Sequence, residues 1–126
     1  MYMNLENLTL HDKMRIIQEI VPGRQVTLAH IIANPDEVLY QKLGLDPRVE
    51  YKGTAIGILT VSPAETAIIT ADIAIKSSGA TLGFVDRFSG TLIITGTVSQ
   101  VEAAFHDISD YVENKLGFTV CPITKT

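Results

Sequence analysis

Tryptophan is absent from this chain, and four Tyr and four Phe are its whole aromatic complement. That leaves no stacking platform for bases or sugars. Charge is also sparse: 19% of residues are charged, the formal balance is −4, and the Lys and Arg residues are scattered. Phosphate recognition needs a concentrated positive surface, so a nucleic-acid partner is excluded. One cysteine, Cys121, cannot form an intrachain disulfide, and together with three unclustered histidines it gives no zinc spacing. A reducing compartment fits this usage, and no metal or cofactor is expected. Phosphate loops, dinucleotide fingerprints, nucleophile elbows and His-Glu-x-x-His pairs are all missing. The acidic pairs Asp36-Glu37 and Asp107/Asp110 read as capping and solvation rather than as an acid–base dyad. No enzyme is expected. Residues 1–14 hold no long apolar stretch, so they read as a tail, neither a secretory signal nor a membrane span.

What the chain does have is apolar surface, at 46% of its 126 residues. One domain of this length buries roughly two-thirds of its unfolded surface, and the surplus points to a further buried interface. The first strand falls near Ile16-Ile17-Gln18-Glu19-Ile20-Val21 and stops at Pro22-Gly23. A second strand spans Gln25 to Ala33, and a short helix follows, capped by Asn34 with Pro35 at its first position and ended by Gly44. Thr54 to Val61 is almost continuously apolar, as a strand buried on both faces would be. Ser62-Pro63-Ala64-Glu65 has the spacing of a capping box, and Ala64, Ala67, Ile68, Ala71 and Ile75 form a helical stripe to about Ser77.

Two strands, Thr81 to Asp86 and Thr91 to Thr95, are joined by the hairpin-length segment Arg87-Phe88-Ser89-Gly90. A second capping box at Thr97-Val98-Ser99-Gln100 opens a helix whose apolar face is Val101, Ala104, Phe105, Ile108 and Val112. A last strand covers Phe118 to Ile123. From Thr54 onward the order is β-α-β-β-α-β, a ferredoxin-like α+β domain with two helices on one face of an antiparallel sheet. The preceding strand pair and short helix are surplus to that core.

The segments Ala55-Ile56-Gly57, Ala71-Asp72 through Lys76, Gly83-Phe84-Val85-Asp86-Arg87-Phe88-Ser89-Gly90 and Gly96-Thr97-Val98 with Val101-Glu102-Ala103-Ala104 resemble the bacterial microcompartment shell domain. More narrowly, Ile17-Gln18-Glu19, Val21-Pro22-Gly23, Gln25 to His30, Ile32-Ala33-Asn34-Pro35 and Thr124-Lys125-Thr126 resemble its circularly permuted PduU and EutS type.

The resemblance implies a non-catalytic homohexamer that tiles with other shell proteins around encapsulated, aldehyde-producing enzymes of propanediol, ethanolamine or choline pathways. It places the protein in a cytoplasmic microcompartment, with no membrane partner. It divides the chain into a tail, 1–14, and one permuted shell domain, 15–126. Within that domain, residues 15–23, with Ile16 to Val21, form an axial β-barrel. Asp86, Arg87, Phe88, Ser89 and Gly90 hold the place of the family's axial loop. Ser89 and Gly90 match, whereas Phe88 stands for a glycine and narrows the centre. Lys76 aligns with the lysine at the tile edge, and the family's Pro-Arg-Pro arginine has no counterpart around Cys121-Pro122. Outside the resemblance, His30 reads as a strand histidine with a bonded ring nitrogen and Cys121 as a small buried hydrophobe. A ferredoxin-like small-molecule sensor and a cargo-docking adaptor are the alternatives that fold alone leaves open.

Overall fold

In the computed structural model, residues 23–126 are described; the expected tail, and the strand at Ile16 to Val21, lie outside them. The elements in chain order are β1 (Gln25–Ile32), α1 (Glu37–Lys42), β2 (Ala55–Ser62), α2 (Thr66–Ser77), β3 (Thr81–Asp86), β4 (Thr91–Gly96), α3 (Val98–Leu116), β5 (Thr119–Val120) and β6 (Thr124–Lys125). The strands make one sheet in the order β3-β4-β2-β1-β5, with β6 also on β1. β1 to β4 pair antiparallel, while β5 and β6 run parallel to β1.

Two expectations are corrected by this order. β1 is no appendage: it pairs with β2 from Gln25↔Ser62 to Ile32↔Ile56, and Val26, Ala29 and Ile31 are buried in the main core. The final strand, expected as one piece from Phe118 to Ile123, is two short pieces instead. Pro122 between them has no amide hydrogen to give to a ladder, so pairing breaks there and resumes at Thr124.

The helices α2 and α3 cover one face of the sheet. Period-two alternation puts Ala29, Ile31, Ala55, Leu59, Val61, Leu92 and Ile94 on that face, against Val101, Phe105 and Ile108 of α3. Gly57 lies in the row Ile31–Gly57–Ile94. A Cβ on it would fall 2.6 Å from a Val101 methyl and 2.7 Å from the Phe105 ring, so its bare backbone is what seats α3 on the sheet. On the opposite face α1 and the following loop cover Ile56 and Ile93 with Tyr40, Leu45 and Tyr51. The two tyrosine rings stack at 5.3 Å, and the Tyr40 hydroxyl donates to the Thr54 carbonyl at 2.5 Å. The expectation that β2 is buried on both faces therefore holds.

The helix starts separate into one success and two corrections. Thr97 and Gln100 form the expected reciprocal capping box, and Gly117, at φ +71°, closes α3. The cap of α1 is Asp36, whose carboxylate accepts from the Val38 amide at 3.0 Å, rather than Asn34. At α2 the capping box does not form, because Ser62 is still the last paired residue of β2, opposite Gln25. Helical bonding begins beyond it, with Glu65 at the cap position making no side-chain bond.

Candidate functional site: a pinned loop and an apolar flank

The β3–β4 connection is held from inside. Asp86 accepts from the amides of Phe88 at 3.0 Å and Ser89 at 3.3 Å, and its carbonyl accepts from the Gly90 amide at 2.9 Å. The Ser89 hydroxyl bonds that of Thr91 at 3.0 Å. The Phe88 amide, with further help from Ser89, holds the Asp86 carboxyl below the usual carboxylate range. Gly90 has φ +74°, and a Cβ there would drive into the Val61 carbonyl oxygen and lie 3.1 Å from the Ala64 Cα. The Val61 amide in turn donates to the Gly90 carbonyl at 2.9 Å. With its base tied to the end of β2, the loop thrusts Phe88 into solvent at 80% exposure. The Arg87 guanidinium stacks over that ring at 5.0 Å.

Lys76 sits at the far end of the same unit. α2 leaves β2 beside Gly90 and runs about 18 Å at 1.5 Å per residue. β3 then returns to Asp86. The loop and Lys76 therefore mark opposite ends of one helix–strand hairpin. Lys76 pairs with Asp72, one turn back, at 2.8 Å; both side chains are more than half exposed, so the pair constrains neither.

The same hairpin overturns the expected apolar stripe. The face of α2 turned inward carries Thr66, Ala67, Thr70, Ala71 and Ala74, while Ile68, Ile69 and Ile75 are exposed. Small residues inward let α2 lie close to the sheet, and the bulky ones are left outside. On the adjoining edge strand Leu82 and Val85 are exposed on the helix side of the sheet, and Phe84, opposite Ile93, is exposed on the other side. So many large apolar side chains left in water along one side of a small domain are unusual. One signal for it was present in the sequence: Ile68 and Ile69 are neighbours, and adjacent helical residues point about 100° apart.

The other singled-out residues carry no chemistry. His30 bonds Thr124 through Nδ1 at 2.6 Å and Thr126 through Nε2 at 3.0 Å, which fastens the C-terminal segment to β1. Cys121 is half-buried, and burial pushes its thiol up, away from the reactive thiolate. Asp107 and Asp110 lie exposed on the outer side of α3. Among the described residues no three His, Cys, Asp or Glu side chains gather to hold a metal, and no helix is long and apolar enough to cross a membrane.

Known proteins share this architecture and sequence. The model of the BMC domain matches residues 55–124. The bacterial microcompartment shell protein PduU of Salmonella typhimurium is 51% identical over 112 residues, 89% of this chain and 93% of PduU. Among solved structures, a CutR flat hexamer is 46% identical with a TM-score of 0.76, covering 86% of this chain and 96% of the CutR chain. A CutR screw is 45% identical with a TM-score of 0.73, covering 83% and 100%.

Proposed function

Since the chain belongs to the BMC-domain family of bacterial microcompartment shell proteins, we propose that it works as a cyclic homohexameric tile with the Asp86–Gly90 loop at the axis and Lys76 at the rim. As a member of that family it is a structural shell component and not an enzyme. The observation that supports the tile reading is one helix–strand hairpin with a pinned loop at one end, an exposed lysine at the other and exposed apolar side chains between. A wedge that repeats around an axis needs that flank to be covered by the next wedge.

The strand order supports circular permutation. In a β-α-β-β-α-β chain, the place beside β2 belongs to the strand after the second helix; here β1 fills it and β5 and β6 merely fringe it. Support for the axial barrel comes from where the chain enters β1. A Cβ on Gly23 would lie 3.2 Å from the Ser62 hydroxyl, next to Val61, which is bonded to Gly90. The described chain thus enters β1 at the loop end of the sheet, and in the proposed tile six copies of Ile16 to Val21 would meet over six copies of Phe88. The tile then has an occluded centre and meets other shell proteins at its rim. The enclosed enzymes are read as aldehyde-forming, on the sequence resemblance alone.

Electron microscopy of the purified full chain tests the reading. Six-fold rings with density over the axis, joining edge to edge, are expected. A stable monomer at micromolar concentration would overturn it, and free solute passage through a supported sheet would refute the closed centre.

A further inference from the structure

The smaller of the two apolar clusters has an open side. On the sheet face away from α2 and α3, a groove of about 800 Å³ lies between α1 and the turns that run from Leu45 to Lys52. Its walls are built before anything enters. Tyr40 and Tyr51 stack on each other and are less than a tenth exposed, and Leu45 beside them is buried. The turns opposite α1 hold themselves: Asp46 accepts from the Arg48 amide at 3.0 Å, Glu50 from the Lys52 amide at 2.9 Å, and the Tyr51 carbonyl from the Thr54 amide at 2.9 Å. A concave site of about 300–1,000 Å³, with apolar walls and a few placed polar groups, is the usual form of a small-molecule site.

The charges around the groove select what it can take. Glu37 and Glu50 line it as exposed carboxylates against a single ammonium, Lys52, while the Asp46 carboxylate is already matched by Arg48 at 2.9 Å. Burial, and after it the Asp46 charge, push the Tyr51 phenol up, so the phenol stays neutral and the potential around it is negative. Aromatic walls add to the same preference, because the faces of their rings attract cations. Lys52 on its own favours an anion, and it is outnumbered.

We infer that this groove is a binding site for a small organic amine, a protonated nitrogen carried on an apolar or aromatic body. The body lies against Tyr40, Tyr51 and Val49, and the ammonium is held at the mouth by Glu37 and Glu50. The site is separate from the features on which the tile reading rests: the outward isoleucines of α2 and the Lys76 end of that helix lie on the other side of the sheet. It therefore adds ligand binding to a structural component, and it stands or falls without reference to the ring.

Three indoles of nearly equal size test it on the purified full chain at neutral pH: tryptamine, a cation; tryptophol, neutral; and indole-3-propionate, an anion. Titration calorimetry ranks them, methyl NMR locates them, and light scattering records the copy number of each sample, so that a failed ring and a failed site are told apart. Tryptamine is expected to bind roughly tenfold tighter than tryptophol, with the anion weakest, and to shift the Leu45 and Val49 methyl signals. Glu37→Gln with Glu50→Gln should bring tryptamine down to the level of tryptophol, whereas Asp107→Asn with Asp110→Asn on α3 should leave it unchanged. Val49→Trp, a change at an exposed position, should fill the mouth and abolish binding at an unaltered melting temperature. An anion that binds as tightly as the amine would overturn the ligand class. No heat and no methyl shift with tryptamine at about 10 mM, or binding that survives Val49→Trp, would overturn the site. Equal losses from the two acidic pairs would show general attraction to a negative surface, and would overturn it as well.

Discussion

Helices α2 and α3 lie side by side on one sheet and obey different logic. α3 has a full capping box, a left-handed glycine at its end and a buried face of Val101, Ala104, Phe105, Ile108 and Val112. Its ends and its apolar face are all engaged within the subunit. α2 has no side-chain cap, buries alanine and threonine, and turns its isoleucines outward. Its large residues do not serve the core of the subunit. An amphipathic stripe thus tells which residues will be buried, and a helix between two copies has two sides that answer to that description.

Substitutions in the two helices should separate these roles. Phe105→Ala is expected to cost about 3–5 kcal/mol of subunit stability, since it empties a fully enclosed site. Urea unfolding at fixed protein concentration measures it, and a loss under about 1 kcal/mol would deny α3 its place as the keystone of the core. Ile68→Ser with Ile75→Ser should do the reverse, weakening each joint by about 2 kcal/mol while the isolated subunit unfolds nearly as before. Size-exclusion chromatography with light scattering would then show single copies, and persistent rings would erase the contrast between the helices.

Capping gives a finer comparison. Thr97→Ala should cost about 1 kcal/mol, and Glu65→Ala should stay within about 0.5 kcal/mol, because Glu65 makes no cap bond. Equal losses in thermal melts would mean that α2 is capped in solution after all.

The loop that α2 and β3 support has a pH signature. The Asp86 carboxyl is held below its unfolded value of 3.8. The ordering it contributes is therefore complete above that value and is lost as pH falls through the lower, folded one. The protection of the Phe88 and Ser89 amides, taken relative to their unfolded exchange rates at each pH, should hold from pH 7 down past 4 and fall only below, and Asp86→Ala should remove that fall. Protection lost already near pH 6 would contradict it. Smallest of all for the fold is Lys76→Ala, at about 0.3–0.5 kcal/mol; loss of sheets with intact rings would locate this lysine between tiles, and unchanged sheets would remove it from the rim.

Much of the molecule was legible in advance, for identifiable reasons. α3, the β3–β4 hairpin and the doubly buried β2 are specified by bonds and periodicity within a few turns of chain, so their sequence suffices. The cap of α1 slipped from Asn34 to Asp36 because both can accept an amide and local pattern does not rank them. Ser62 failed as a cap because a strand pair over thirty residues away in sequence claimed it. The same non-local pairing turned β1 from a supposed attachment into an inner strand. The outward isoleucines of α2 were assigned to the wrong side because its inward positions hold alanine and threonine, which a periodicity reading ranks below isoleucine.

Gly57 has a consequence that concerns the wall rather than the subunit. The Val101 and Phe105 side chains of α3 rest directly on the bare backbone of Gly57, so the seat of the helix on the sheet is set by a missing atom. Any larger residue there would wedge α3 away from the sheet. In the proposed ring that displacement would be repeated six times around the axis, so one methyl group would be felt as a change in the curvature of the whole tile.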